Sequence, residues 1–474
     1  MQNTAKQQLH STAARLWPRK SPAVFHGMEG KNNPFWLGGP VKRCSASALV
    51  LIFLLSAVPA FAEGFHLMDW GARGMGLAGG MVGRADDPST LAYNAAGITQ
   101  LPGTRVLLGG STVTPYCSIE GQYADGSKHT TRLVDSTWTI GHGYLTHQLN
   151  DNVWLGLGIF SRFGTGVTFA GDWFGRYSMY DVGLQTLSLV PTVAYKFNEH
   201  VSVSLGIEAM YAHLYLGQRA PLQYGPYNFG DADLQTEGKG LGWGVHAGLH
   251  VRFNDEWSAG LAYKSAVRMT LNGETQLEPW GSNANRNVAP LKPIYGAVLA
   301  KAKQTYDSDV NGTTMLPDSL ALGIAWKPLP NLSFEVGSIW SRWSSYQNLN
   351  FYFDSGAESI NNKKYRDGIN FNVSVEYSPL DWLTLRAGYL YETPVVNEKY
   401  ADFIVPNYGR DVVSLGLGFK WDSWAVDLAW QHLWNHSLSY YDTRTHGIKD
   451  AGLAGASVVN PQSDAFAISV AYTF

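Results

Sequence analysis

His246 and His250 stand four apart in LGWGVHAGLHVRF, the spacing that offers a metal two ligands from one helical turn. The stretch alternates, however: Leu241, Trp243, Val245, Ala247, Leu249, Val251 and Phe253 oppose Gly242, Gly244, His246, Gly248, His250 and Arg252. That pattern is a strand, whose rise separates the two rings by about 13 Å, too far for one metal ion. They are expected to be polar lining. No G-x-S-x-G elbow, H-E-x-x-H helix, phosphate-binding glycine loop or Cys/His metal spacing occurs, so neither catalysis nor a cofactor is expected. Two arginines remain as candidates. Arg386 in LTLRAG lies on a polar face with Thr384 and Gly388, and a neighbouring strand brings Glu376 to its own polar face. It is either a cation for a carboxylate ligand or a member of an internal ion-pair network. In GDWFGRYSMY, Arg176 stands beside Trp173, Phe174 and Tyr177, a mixture suited to holding an amphipathic acid or to anchoring a loop at a membrane interface.

The elements that would position these residues are strands. In VSLGLGFKW, Val413, Leu415, Leu417, Phe419 and Trp421 oppose Ser414, Gly416, Gly418 and Lys420, and in WAVDLAW, Trp424, Val426, Leu428 and Trp430 oppose Ala425, Asp427 and Ala429. The terminal AFAISVAYTF has Phe466, Ile468, Val470, Tyr472 and Phe474 on one side. Candidates occur near 104–118, 134–148, 153–168, 184–197, 201–218, 240–253, 257–272, 315–327, 331–345, 368–378, 382–392, 411–420, 423–434 and 464–474. These are about 14 strands of roughly ten residues, the length that crosses a bilayer when tilted.

The connections alternate too. Even-numbered strands end in tight turns such as Asn198-Glu199-His200, Asn254-Asp255-Glu256, Pro328-Leu329-Pro330 and Pro379-Leu380-Asp381. Odd-numbered ones lead into long excursions at 169–183, 219–239, 273–314, 346–367, 393–410 and 435–463. One trimmed rim and one elaborate rim is the plan of an outer-membrane barrel. A sheet in lipid must close on itself, so the last strand is expected to pair with the first.

Composition is consistent with this. The 474 residues include 51 Gly, 25 Tyr, 17 Trp and 20 Phe, with only 15% charged. A net charge of −3 provides no basic field for nucleic acid. Lys42 and Arg43 precede the apolar run 48–58, which closes with Ala60-Phe61-Ala62, the pattern of a cleaved signal peptide. Residues 1–62 are therefore expected to be leader, with translation starting at Met28 and the mature chain at Glu63. Cys44 leaves with the leader, so Cys117 has no intramolecular partner. Residues 63–103 lack a strand pattern but carry Phe65, Leu67, Met68, Trp70, Met75, Leu77, Leu91, Tyr93 and Ile98, too apolar for a free tail. They are expected to fold into the lumen as a hatch, with the barrel running from 104 to 474.

GFHLMDWGARGMGLAGG followed by ADDPSTLAYNAAGIT resembles the mature N-terminus of the FadL-type long-chain fatty acid and hydrocarbon transporters of Gram-negative outer membranes. LPDSLALGIAWKP, SRWSSYQNLNF, KYRDGINFNVSVEYSP, WLTLRAGYLYETPV and the terminal strand are similar to that family, in order from 63 to 474. The resemblance implies an all-β, 14-stranded antiparallel transmembrane barrel with an N-terminal hatch in its lumen. It implies capture of hydrophobic ligand at the outer loops, transfer to an interior pocket, and hatch-gated release sideways into the outer membrane. Since the family's extreme N-terminus reaches the interior pocket, Phe65 becomes the first ligand-contact candidate, with Leu67 and Trp70 behind it; plain packing is the alternative. Asn94 matches the family's hatch asparagine, expected to bond backbone in a turn. The Asn-Pro-Ala of the family reads Asn94-Ala95-Ala96 here, without the stiffness of proline.

The expected partners are fatty acids, or monoaromatic or alkane hydrocarbons, together with outer-membrane lipid, for a protein acting as a monomer. A general diffusion porin would lack the apolar Gly-rich plug, and an outer-membrane enzyme or adhesin would carry a constellation in the long loops that this chain does not show.

Overall fold

The computed structural model describes residues 64–405, 408–440 and 452–474. The expected leader, the cleavage site and part of the 435–463 excursion lie outside them. Fourteen strands form the wall in chain order: Thr104–Tyr123, Trp138–Gln148, Val153–Phe160, Asp181–Lys196, Val201–Tyr224, Tyr227–Arg252, Trp257–Lys264, Ser319–Leu329, Leu332–Ser341, Gly368–Leu380, Leu383–Glu392, Arg410–Trp421, Trp424–Asn435 and Leu453–Thr473. Each pairs antiparallel with its neighbours, and the fourteenth closes on the first from Arg105↔Thr473 to Tyr123↔Leu453. Pairing of the last strand with the first leaves the sheet no terminal edge strand, as a sheet in lipid requires.

The alternation read from the sequence sorts the two faces. On the last strand Phe466 and Ile468 are 58% and 50% exposed, while Ala465 and Ser469 on either side of them are 1%. Leu241, Trp243, Leu415 and Leu417 likewise face out, whereas His246, His250 and Ser414 face in. At the short-turn rim, rings meet across strands: Trp257 and Trp326 at 5.6 Å, Trp326 and Phe334 at 5.7 Å, Trp424 and Tyr472 at 4.7 Å. This is an aromatic girdle of the kind that sits at a membrane interface.

The short rim is tighter than the sequence suggested, because Leu329 and Leu380 still belong to strands. Three of its turns reuse one device: the side-chain oxygens of Asn150, Asn198 and Asn254 each accept from the amides two and three residues on. The long rim is more regular than expected. The 219–239 stretch is no loop, since the fifth and sixth strands continue through it for 24 and 26 residues to a tip at Gly225. Crossing a bilayer takes only about ten residues, so the upper halves stand outside it. The 273–314 excursion contains the helix Lys292–Tyr306, which packs its apolar side on Leu222, Phe229 and Leu277. Three expected strands are broken: 153–168 at 161–163, 257–272 at Ser265-Ala266, and 315–327 at Pro317-Asp318.

Residues 64–103 run inside the ring. Ala72 N donates to Ser469 Oγ, Gln431 Nε2 to Met75 O, Asn372 Nδ2 to Ala78 O, and Asn94 Nδ2 to Leu249 O, which ties the segment to the fourteenth, thirteenth, tenth and sixth strands. The small inward residues of the wall explain how it fits. A Cβ on Gly416 would stand 3.1 Å from the Gly76 Cα, and one on Gly83 would stand 2.9 Å from the Gly323 carbonyl carbon. Backbone meets backbone at both places, which only glycine permits.

Candidate functional site

Above this segment the lumen is apolar. Inward residues of the first, fourth and fifth strands join side chains of the long-rim loops in one buried cluster that includes Ile119, Phe169, Met179, Met210, Phe351 and Phe403. Phe65 stands at its floor, edge-on to Trp343 at 4.7 Å, to Tyr346 at 5.3 Å and to Phe163 at 6.2 Å. Edge-to-face pairs of this sort contribute about 0.5–1.5 kcal/mol each beyond area burial. Trp173 belongs to the same cluster, stacked on Phe169 at 4.0 Å and meeting Phe403 at 5.0 Å, with Phe174 packed beside it. Its indole N–H donates to Met179 O.

The other candidates lie apart from this cluster. Leu67 lines a cavity of ≈ 20 Å³, about one water, with Met68, Leu390, Val412 and Leu433. Trp70 packs on Tyr93 and Phe160, its N–H donating to Ser161 O and its carbonyl accepting from Tyr144. Arg176 is held in the loop layer by Asp231 at 2.8 Å and by the Tyr177 hydroxyl. Nearby, burial and a bond to Asp233 push the Tyr180 phenol up to about 12, so it serves as a neutral donor. Arg386 lies at the opposite mouth. It pairs with Glu376 and Asp427, each at 2.6 Å, and Arg73 of the N-terminal segment also grips Glu376 with two bonds of 2.8 Å. Together they line a cavity of ≈ 960 Å³ at the short-turn rim. Asn94 holds Val82 O and Leu249 O through its amide and accepts from Ala96 N, while Ala95 and Ala96 open a 3-10 turn. His246 bonds Glu208, and His250 bonds Gly83 O.

The third strand leaves the wall at Phe160. The second strand pairs with it only from Gly143↔Ile159 downward, so Trp138 to His142 keep a partner on the first strand alone. Residues 161–163 turn inward, where Leu67 N donates to Arg162 O and Gly164 N to Phe65 O, adding the N-terminal segment to the strand edge. Arg162 anchors the kink, since its guanidinium reaches Glu208 Oε2 at 2.5 Å and the carbonyls of Ser265 and Pro317. The wall thus carries a gap between the second strand and 161–167, over which the Trp138 ring lies against Gly166.

Several residues were missed in the sequence. Lys363, 1% exposed, pairs with Asp402. Glu335 accepts from three successive amides, Val82, Gly83 and Arg84, at 2.8, 3.0 and 2.8 Å. Glu208 and Glu335 were within reach, because each stands on the polar phase of an alternating strand; Arg162 and Lys363 sit where alternation fails.

A lipid-facing closed wall, a filled lumen and a lateral gap coincide with a family match over residues 53–474, to the outer membrane protein transport proteins OMPP1/FadL/TodX. The chain belongs to that family. It is an outer-membrane β-barrel of the Gram-negative type that transports hydrophobic compounds. It is 23% identical over 398 residues to the long-chain fatty acid transport protein of Escherichia coli, covering 79% of this chain and 87% of that one. The fold is shared with a FadL homologue from Pseudomonas aeruginosa (TM-score 0.75, 19% identity, 87% of this chain and 100% of the other). It is shared also with the toluene transporter TodX of Pseudomonas putida (TM-score 0.64, 17% identity, 87% and 100%). The Escherichia coli and Pseudomonas putida proteins are named for transport.

Proposed function

We propose that the chain imports long-chain fatty acids as a monomer in outer-membrane lipid. Acid is captured among Trp173, Phe174 and Arg176 at the long rim and enters the apolar cluster. Residues 63–103 serve as a hatch, with Phe65, Leu67 and Trp70 successively in contact with ligand and Asn94-Ala95-Ala96 as its firm corner. Ligand leaves sideways through the gap beside the third strand. The observation that carries this reading is Phe65, the floor of the apolar cluster and at the same time hydrogen-bonded through its carbonyl to the kinked strand at Gly164. A ligand that displaces Phe65 therefore pulls on the edge of the gap. Lateral exit also suits the cargo, since hydration of an acyl chain costs roughly 0.8 kcal/mol per methylene.

A second reading, uptake of a monoaromatic hydrocarbon by the same route, is favoured by the edge-on rings of Trp343, Tyr346 and Phe163 about Phe65. Expression in a strain lacking its own transporter, fed oleate or toluene, decides. Oleate uptake that falls at least several-fold in Phe65→Ala supports the fatty acid. Rescue by toluene alone supports the second reading, and rescue by neither, alongside ordinary passage of sugars, overturns both.

A further inference from the structure

At the level of the kink two basic side chains, Arg162 and Lys264, share the neighbourhood of one carboxylate, Glu208. Glu208 neutralises Arg162 and also takes bonds from Ser188 at 2.6 Å and His246 at 3.1 Å, so its two oxygens are occupied. Lys264, the last residue of the seventh wall strand, is 7% exposed. Its Nζ lies 3.5 Å from the centre of the Trp70 ring, and among the described residues no carboxylate or hydrogen-bond acceptor is paired with it. A buried ammonium is ordinarily paired or hydrogen-bonded. Contact with an aromatic face holds a cation less strongly than charge-assisted hydrogen bonds to a carboxylate in the same dry surroundings.

The position suits a ligand that descends past Phe65. From there a row of rings leads to Lys264: Phe65 to Phe163 at 6.2 Å, Phe163 to His66 at 5.4 Å, His66 to Trp70 at 5.7 Å. Val267, three residues beyond Lys264, belongs to the apolar cluster. An acyl chain lying in that cluster with its head downward would bring a carboxylate to the ammonium.

We propose that Lys264 is the receptor for the carboxylate of a long-chain monocarboxylic acid, with Trp70 holding its place until the acid arrives. The inference rests on the uptake reading and adds its head-group recognition. Trp70 is tied to the kink through Ser161 O and to the second strand through Tyr144, the two sides of the wall gap. Exchange of Trp70 for a carboxylate therefore loosens the hatch where ligand leaves, and a neutral hydrocarbon lacks the group that drives the exchange.

The test compares dodecanoate with 1-dodecanol, which share a chain and differ in charge, by equilibrium binding to the detergent-solubilised full chain. Wild type is expected to bind the acid at least ten-fold more tightly. Lys264→Met is expected to bring the acid down to the alcohol's affinity and leave the alcohol unchanged, while Lys264→Arg keeps the preference. Acid binding undiminished in Lys264→Met, or equal loss of both compounds, overturns the proposal. If wild type binds neither, the uptake reading itself has failed. Should Lys264→Met not assemble, as judged by its heat-dependent shift on a gel, Trp70→Leu replaces it: freeing the ammonium is expected to raise dodecanoate affinity several-fold. Unchanged or weaker acid binding there counts against the proposal.

Discussion

Arg162 and Glu208 meet at 2.5 Å with neither side chain exposed, at the point where the third strand abandons the wall. The pair fixes the kink, and with it the gap. Removal of one charge from a buried pair costs about 3–5 kcal/mol, whereas replacement of both by apolar groups is often neutral. Glu208→Gln is therefore expected to lower the unfolding midpoint of the purified barrel markedly, and Arg162→Met with Glu208→Leu to recover most of it. A single variant as stable as wild type would refute the assignment.

Glu335 tethers the hatch rather than the wall. Its truncation to alanine deprives the amides of Val82, Gly83 and Arg84 of their acceptor, at about 1–3 kcal/mol for each buried group left unpaired. The barrel, closed by its own ladder, is expected to assemble normally. Amide exchange at 82–84 should quicken by at least ten-fold, and cells should become leakier to small hydrophilic antibiotics. Unaltered exchange would show that other contacts suffice.

Gly416→Val inserts a side chain against the backbone of Gly76, which has nothing flexible to yield. The expected result is a hatch displaced around 72–78, visible as new protease cleavage there. Leu415→Val on the outward face, where the change meets lipid, serves as the control and should remain resistant. Equal resistance of both would mean that the backbones do not approach as described.

Ala95 occupies the first position of its 3-10 turn, after an extended Asn94 (φ −147°, ψ 94°). That is on the extended side of the map, from which a modest rise in ψ reaches the range a following proline favours, and the first N–H of such a turn is an orphan in any case. Ala95→Pro should stabilise the hatch by about 0.4–1 kcal/mol by restricting the unfolded chain. Barrel assembly should not change, but the uptake rate should. Indistinguishable uptake by the two versions would count against a mechanical role for this corner.

Alternation is local, so the wall was legible without tertiary information: AFAISVAYTF announces which side of the fourteenth strand meets lipid, and the Asn-led turns announce the trimmed rim. The same pattern marked Glu376 and Arg386 as inward, and their pairing at 2.6 Å follows from the register Glu376↔Arg386 of neighbouring strands. What a period of two does not carry is which inward residues meet across the lumen. Glu335 and Val82 are 253 residues apart in sequence, and Arg162 reaches Glu208, Ser265 and Pro317 only because its strand bends. The breaks at Ser161-Arg162-Phe163, Ser265-Ala266 and Pro317-Asp318 escaped the sequence because each is only two or three residues long and strand-like residues resume on both sides of it. Whether such a run stays in the wall or turns inward depends on a partner charge and on a passing N-terminal segment that only closure of the ring brings within reach.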